Sequence, residues 1–123
     1  MYDPKKSSDF KDYVRLAASQ YAPERLLEGP LKIELKFYRP IPKALSVKKS
    51  LQAEEGKIRP ISKPDVDNYV KGVKDALKGV IWQDDSQVVD LIAGKWYSNK
   101  PRVEITIVSL EGEYGTIKAG VKK

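Results

Sequence analysis

Residues 31–37 have the sequence LKIELKF, in which apolar and charged residues alternate without exception. Successive side chains of a β-strand point to opposite faces of a sheet. The alternation therefore predicts a strand that buries one face, formed by Leu31, Ile33, Leu35 and Phe37, and leaves the charged residues on the other face.

Amphipathic helices are predicted on both sides of this strand. Upstream, apolar residues recur at three- and four-residue steps from Asp9 to about Leu27, and Pro23 is expected to end or kink that helix. Downstream, a second helix is predicted from about Asp67 to Lys78, where Gly79 stops it. Each helix has an apolar face that can cover the buried side of a sheet.

Two more strands are predicted over residues 87–97 and 103–107. The residues between them favour a turn, so the two strands are expected to pair as a hairpin. The predicted fold class is α+β: a single small domain over residues 1–123, with a mixed or antiparallel sheet and helices packed on one face. Residues 1–8 and 111–123 are expected to be loose.

Residues 39–63 show no periodicity and are predicted to form a long basic loop. The segment contains seven basic residues and two acidic ones, in a chain of formal charge +6. A loop of this length in a small domain is typically functional or mobile. Its charge indicates an anionic partner such as nucleic acid, and the alternative is a solvated loop without a ligand.

The composition excludes several kinds of active site. The chain contains neither cysteine nor histidine, which rules out a disulfide partner, thiolate zinc sites, Ser-His-Asp triads and a histidine general base. Its apolar runs are far shorter than the roughly 20 residues that cross a bilayer, so a cytoplasmic protein without membrane association is expected. Any chemistry must come from carboxylates, lysines, arginines, hydroxyls or a bound metal.

Two acidic clusters are candidates for such chemistry. Residues 65–68, Asp-Val-Asp-Asn, stand at the front of the second helix, and Asp84-Asp85 precede the next strand. Each cluster also has a structural explanation, because Asp commonly caps helices and commonly occupies solvated turns. Convergent carboxylates are the ligands that Mg²⁺ prefers, and such an ion can promote phosphodiester hydrolysis without histidine.

The start of the second helix decides whether its carboxylates converge. If residues 63–67 are extended, Asp65 and Asp67 point to the same side, Asp67 caps the helix and Lys71 follows one turn later. If the helix begins before Asp65, the two carboxylates diverge around its axis.

These motifs resemble those of the RusA-type Holliday junction resolvases. The resemblance rests on a PDxDN motif at residues 64–68 and a W-x-DD-x-QV motif at residues 82–88, and it extends over residues 31–110 in the order of elements. It implies an Mg²⁺-dependent endonuclease, in which Mn²⁺ can substitute, acting as a homodimer on four-way DNA junctions. Residues 39–43 and the basic segment after them also resemble bacterial and prophage members.

The resemblance also implies individual roles. Asp65, Asp67 and Asp85 would bind the metal and, with Lys71, form the catalytic set. Asp84 would face away from the site, because neighbouring residues of an extended chain alternate sides. Trp82 is expected to belong to the core. The residues expected to bind DNA phosphates are Lys43, Lys48, Lys49, Lys57, Arg59 and Lys63.

Other functions stay open. Members of that family usually place a β-strand before the first helix, so either a trimmed N-terminus or a missing edge strand is expected here. Together with the basic loop, the missing N-terminal strand is also consistent with an alternative function, a catalytically inactive module that binds branched DNA. A weaker alternative is association with RNA, for which the sequence offers no aromatic RNA-binding motif.

Overall fold

The fold is built around the strand that the alternating sequence predicts, β1 (Leu31–Pro40). The computed structural model describes residues 4–111 and 116–122, with the side chains of residues 9–111. The apolar residues of β1 have relative exposures of 0–1%, and the charged residues between them are half-buried on the opposite face. The predicted strand and its buried face are confirmed.

β1 is an inner strand of a four-stranded mixed sheet with the order β2-β1-β3-β4. β2 (Val88–Ser98) pairs with β1 in parallel, and β3 (Arg102–Ser109) pairs with β1 antiparallel. β4 (Thr116–Lys122) pairs antiparallel with β3. Within the described residues, β2 therefore forms one edge of the sheet. The mixed sheet and its helices confirm the α+β fold class.

The predicted hairpin between the last two predicted strands is wrong, because β1 lies between β2 and β3. Ser98 at the end of β2 is level with Pro40, and Arg102 at the start of β3 is level with Tyr38. Residues 99–101 cross the end of β1 over two strand spacings, about 10 Å, which an extended chain of this length can span. Turn-forming residues indicate a change of direction but not which strand becomes the neighbour.

Two helices cover the buried face of β1. α1 (Pro4–Ser19) and α3 (Val66–Leu77) pack against each other and contribute Val14, Ala18, Val73 and Leu77 to the core. α3 matches the predicted second helix, and Gly79 after it has a positive φ of 81°. α1 ends well before Leu27, which is instead buried in a β-bridge with Trp82.

Two segments are more regular than expected. Residues 47–54 of the predicted basic loop form a helix, α2 (Val47–Glu54), capped by the Ser46 hydroxyl, which accepts a hydrogen bond from the Lys49 amide (3.2 Å). The helix was not predicted because its apolar residues do not form a buried face: Val47 is 80% exposed and Leu51 60% exposed. In the expected loose C-terminal segment, β4 continues the sheet. Within the described part of the chain, no helix is long and apolar enough to cross a membrane.

Candidate active site

The start of α3 presents two carboxylates to solvent. Asp65 is the last residue before the helix, with extended backbone angles (φ −65°, ψ 152°), and Asp67 lies in the first turn. Both residues are exposed. The helix therefore begins after Asp65 but before Asp67. This start lies between the two starts considered from the sequence, and Asp65 rather than Asp67 occupies the capping position.

Neither carboxylate is used to stabilise the fold by a direct contact. Asp65 makes no capping hydrogen bond. Among the described residues, neither the Asp65 carboxylate nor the Asp67 carboxylate has an ion-pair or hydrogen-bond partner. Their charges favour the helix N-terminus only through the helix dipole. The carboxylate oxygens are therefore free to bind a ligand.

Lys71 lies one helical turn after Asp67 and is exposed on the same face of α3. The rotation of the helix is fixed by its opposite face, where Val73 is fully buried. The Tyr69 ring stacks on Phe37 of β1 with centroids 4.6 Å apart, and its hydroxyl accepts a hydrogen bond from Arg39. The core therefore directs Asp67 and Lys71 outward together.

The loop before Asp65 is held by a residue that the sequence analysis did not single out. The Lys95 ammonium of β2 donates to the carbonyl oxygens of Ser62 (2.8 Å) and Pro64 (3.0 Å). The Lys63–Pro64 peptide bond in this loop is cis. Lys95 is level with the buried Phe37 and so points to the core face of the sheet. In the sequence, Lys95 follows Leu91 and Ala93 at two-residue steps, which places a lysine on the inward face of the predicted strand.

Asp85 lies at the other end of α3. It begins a short 3-10 turn, Asp85–Gln87, which leads into β2. Its Oδ1 atom accepts a hydrogen bond from the indole Nε1 of Trp82 (2.9 Å). Trp82 is fully buried, which confirms its predicted place in the core and anchors the Asp85 carboxylate to the folded interior.

Asp84 has a structural role. Its Oδ1 atom accepts a hydrogen bond from the Ser86 amide (3.0 Å), and the Gln87 side chain accepts one from the Asp84 amide (2.9 Å), which together form a capping box. The hydrogen bond from the Ser86 backbone, followed by that from its hydroxyl and the charge of Lys78, lowers the pKa of Asp84 below its ordinary value. This carboxylate is thus engaged in the turn that precedes β2.

A single copy of the chain does not bring the three predicted metal ligands together. α3 has 12 residues, so it is about 18 Å long. It begins beside Lys95 and ends beside Trp82, whose carbonyl accepts a hydrogen bond from the Gly79 amide (2.7 Å). Asp65 and Asp67 are therefore separated from Asp85 by the length of the helix. In the described ranges, no three acidic residues are grouped closely enough to share a metal ion.

The six residues predicted to bind DNA are exposed and fall into two groups. Lys57 forms an ion pair with Glu55 (2.9 Å), and the Arg59 guanidinium lies 4.0 Å from the centre of the Trp96 ring while its Nε donates to the Lys95 carbonyl (2.6 Å). Both therefore also have contacts within the fold. The other four have no side-chain partner among the described residues: Lys43, Lys48, Lys49 and Lys63.

An open groove of about 370 Å³ lies next to the start of α3. It is lined by Arg59 and Pro60 of the preceding loop, by Ala93, Gly94 and Lys95 of β2, and by Val66 of α3. Arg59 and Lys95 place two cationic side chains along this groove.

The family model described as Endodeoxyribonuclease RusA matches residues 1–108 of the chain. The chain belongs to the RusA endodeoxyribonuclease family. The resemblance that rests on the PDxDN and W-x-DD-x-QV motifs is thereby confirmed. The RusA family match includes α1, α3 and the strands β1, β2 and nearly all of β3.

A curated relative from Bacillus subtilis (strain 168), described as uncharacterized protein YqaN, is 58% identical over 109 residues. The aligned region covers 87% of this RusA-family chain and 77% of the relative. The similarity therefore spans most of both proteins, although the relative's description assigns no activity.

Proposed function

We propose that this RusA-family chain is a metal-dependent endodeoxyribonuclease that cleaves four-way DNA junctions. The observation that carries the proposal is the pair of exposed carboxylates at the start of α3, which have no partner within the described fold and lie one turn before Lys71. Carboxylates that stabilise only the fold are usually hydrogen-bonded to it. Val66, which lies between the two in the sequence, lines an open groove together with the cationic Arg59 and Lys95.

The residues present suit a hard divalent cation. Mg²⁺ prefers carboxylate oxygens and retains several waters, so Asp65 and Asp67 would hold it without a full protein cage. Mn²⁺ has similar ligand preferences and would substitute. When bound, the ion would polarise the phosphodiester and lower the pKa of a coordinated water. Lys71 would place a positive charge beside the scissile phosphate, and Lys43, Lys48, Lys49 and Lys63 would contact phosphates further along the DNA.

The separation of Asp85 from the other two carboxylates favours a homodimer. In a two-fold dimer whose α3 helices run in opposite directions, Asp85 of the partner subunit would approach Asp65 and Asp67, and the reverse contact would form at the other site. Each of the two sites would then contain one carboxylate from the second copy. Two symmetric sites suit a substrate with two strands to be nicked.

A gel assay on a labelled four-way junction tests this function. Linear duplexes of the same sequences serve as the substrate control, with either Mg²⁺ or EDTA present. We expect paired nicks in the junction only, only with the metal, and none with Asp67→Asn. Asp12→Asn, a matched change of an exposed acid on α1, should retain cleavage. Equal cleavage of the linear duplexes, or full activity of Asp67→Asn, would contradict the proposal.

The same separation favours a second candidate function. If Asp85 never reaches the other carboxylates, the chain would bind branched DNA without cutting it. In that case junction binding would persist in EDTA and no nick would form with Mg²⁺ or Mn²⁺, in the wild type as well as in the variants.

A further inference from the structure

The loop before the candidate site carries the most exposed large apolar side chain among the described residues. Ile61 is 98% exposed. In the sequence it directly follows the buried Pro60 and stands four residues before Asp65, the first carboxylate of the site. A single exposed apolar residue needs no functional explanation by itself. The contacts and charges of its neighbours separate Ile61 from the other exposed apolar residues.

The chain is held to β2 on both sides of Ile61. Before it, the Arg59 Nε donates to the Lys95 carbonyl (2.6 Å). After it, the Lys95 ammonium donates to the carbonyl oxygens of Ser62 (2.8 Å) and Pro64 (3.0 Å). The Ile61 side chain is also stiff, because branching at Cβ restricts its rotamers. A rigid apolar group is therefore held in solvent beside the candidate site.

Cationic side chains flank Ile61 in the same segment. Arg59 stands two residues before it and Lys63 two residues after it, and residues 59–63 include no acid. Lys63 is exposed, and its ammonium has no side-chain partner among the described residues. An apolar group between two cations suits a ligand that combines phosphates with apolar ring faces. This is the chemistry of a nucleic-acid strand whose bases are accessible.

We propose that Ile61 inserts against an unstacked base at the branch point of a DNA junction and thereby selects branched DNA over linear duplex. The inference rests on the proposed function, because it assigns the residue by which that site recognises its substrate. Apolar side chains that enter a base step unstack it. Insertion costs less where stacking is already interrupted, as at a branch point, than inside a continuous duplex.

The position of Ile61 limits which base it contacts. Its Cα atom is at most about 14 Å from that of Asp65, because four residues of extended chain span no more. This distance equals about four stacked base pairs at roughly 3.4 Å each. A base against Ile61 therefore lies within a few nucleotides of a phosphate held at Asp65, which couples recognition of the branch to the position of the cut.

A four-way junction with 2-aminopurine at the branch point tests the contact, since this base fluoresces more strongly when it is unstacked. In EDTA, saturating wild-type protein should raise the fluorescence. Ile61→Ala should not, whereas Ile61→Leu, which keeps an apolar group, should retain most of the rise. The matched control is Leu16→Ala, which removes the same number of carbon atoms from a 70% exposed residue of α1 and should behave as the wild type. No rise with the wild type, or an equal rise with Ile61→Ala, would overturn the inference.

Binding measurements separate an apolar contact from a phosphate contact. Ile61→Ala should weaken junction binding about tenfold and leave linear-duplex binding nearly unchanged, because it removes apolar contact only at the branch point. The slope of log affinity against log salt should stay at its wild-type value. Lys63→Ala should weaken binding to both substrates and reduce that slope by about one. Equal losses of Ile61→Ala on both substrates, or a reduced slope, would overturn the inference.

The inference and the nuclease function fail in different ways. If the wild type raises the branch-point fluorescence through Ile61 but never nicks the junction, the recognition stands and the nuclease function does not. If the wild type nicks junctions while Ile61→Ala gives an equal fluorescence rise, the nuclease function stands and Ile61 is not the recognising residue.

Discussion

Asp65 and Asp85 carry the same functional group but are held in opposite ways. Asp65 is exposed at a helix boundary and makes no capping contact, whereas Asp85 is tied by a 2.9 Å hydrogen bond to the buried Trp82 indole. The adjacent Asp84 is used entirely in a capping box. Sequence motifs identify these acids, but only their local contacts separate a structural carboxylate from one that is available to a ligand.

Lys95 is expected to stabilise the loop before the candidate site. Lys95→Met removes two charge-assisted hydrogen bonds, to Ser62 and Pro64, and should lower the free energy of unfolding by about 1–3 kcal/mol. Urea denaturation measures this change. Lys100→Met, at an exposed lysine whose ammonium has no described partner, is the control and should have little effect. Equal stabilities of the two variants would contradict the assigned contact.

The Asp84 capping box predicts a dependence of stability on pH. Because the folded state lowers the pKa of Asp84 below its ordinary value of 3.8, the stabilisation is present above that pH and is lost as the pH falls through the folded-state pKa. The wild type should therefore be more stable than Asp84→Ala at neutral pH, and the difference should shrink in acid. Asp84→Asn keeps an acceptor oxygen but does not titrate, so its advantage over Asp84→Ala should not change with pH. Thermal melts from pH 7 to pH 2.5 test this, and a difference that grows in acid would refute it.

At the scale of elements, β1 and α3 could be predicted because each has a buried face that imposes a period on the sequence. α2 could not, because only Ala53 among its residues is buried. The pairing of β2 with β1 rather than with β3 could not be predicted either. Strand pairing depends on which faces must be buried in the whole sheet, not on the turn residues alone. Asp65, Asp67 and Lys71 were singled out from the sequence motif, whereas the contact of Lys95 with the loop before Asp65 is visible only in the folded chain.

Gly94 permits the packing of Arg59 and Trp96 on β2. A Cβ atom at this position would lie 2.5 Å from Cη2 and 2.7 Å from Cζ3 of Trp96, so Gly94→Ala must displace the ring. We expect a loss of about 1–3 kcal/mol in the free energy of unfolding, measured by denaturant titration. The same substitution in a Trp96→Ala background should cost much less. Additive effects of the two substitutions would contradict this packing.

For the whole molecule, the central feature is the length of α3 between the two acidic positions. The order of the motifs along the chain identifies Asp65, Asp67 and Asp85 but does not specify whether they meet within one copy or between two. In the folded chain Asp65 and Asp67 lie at the start of α3, a 12-residue helix about 18 Å long, and Asp85 lies in a turn beyond its other end. The proposed dimer would join them, because its two-fold axis would bring Asp85 of each copy to Asp65 and Asp67 of the other copy.

The most direct measurement combines two inactive variants. Asp67→Asn and Asp85→Asn are each expected to abolish junction cleavage as homodimers. The two variants are then co-expressed as a mixed dimer. If each site takes Asp85 from the partner subunit, one site of this dimer carries both substitutions and the other site carries none. The account predicts that the mixed dimer regains metal-dependent nicking, at one strand per binding event, in the labelled-junction gel assay. No activity in a purified mixed dimer, beside an active wild-type dimer, would contradict it, because every site would then carry one substitution.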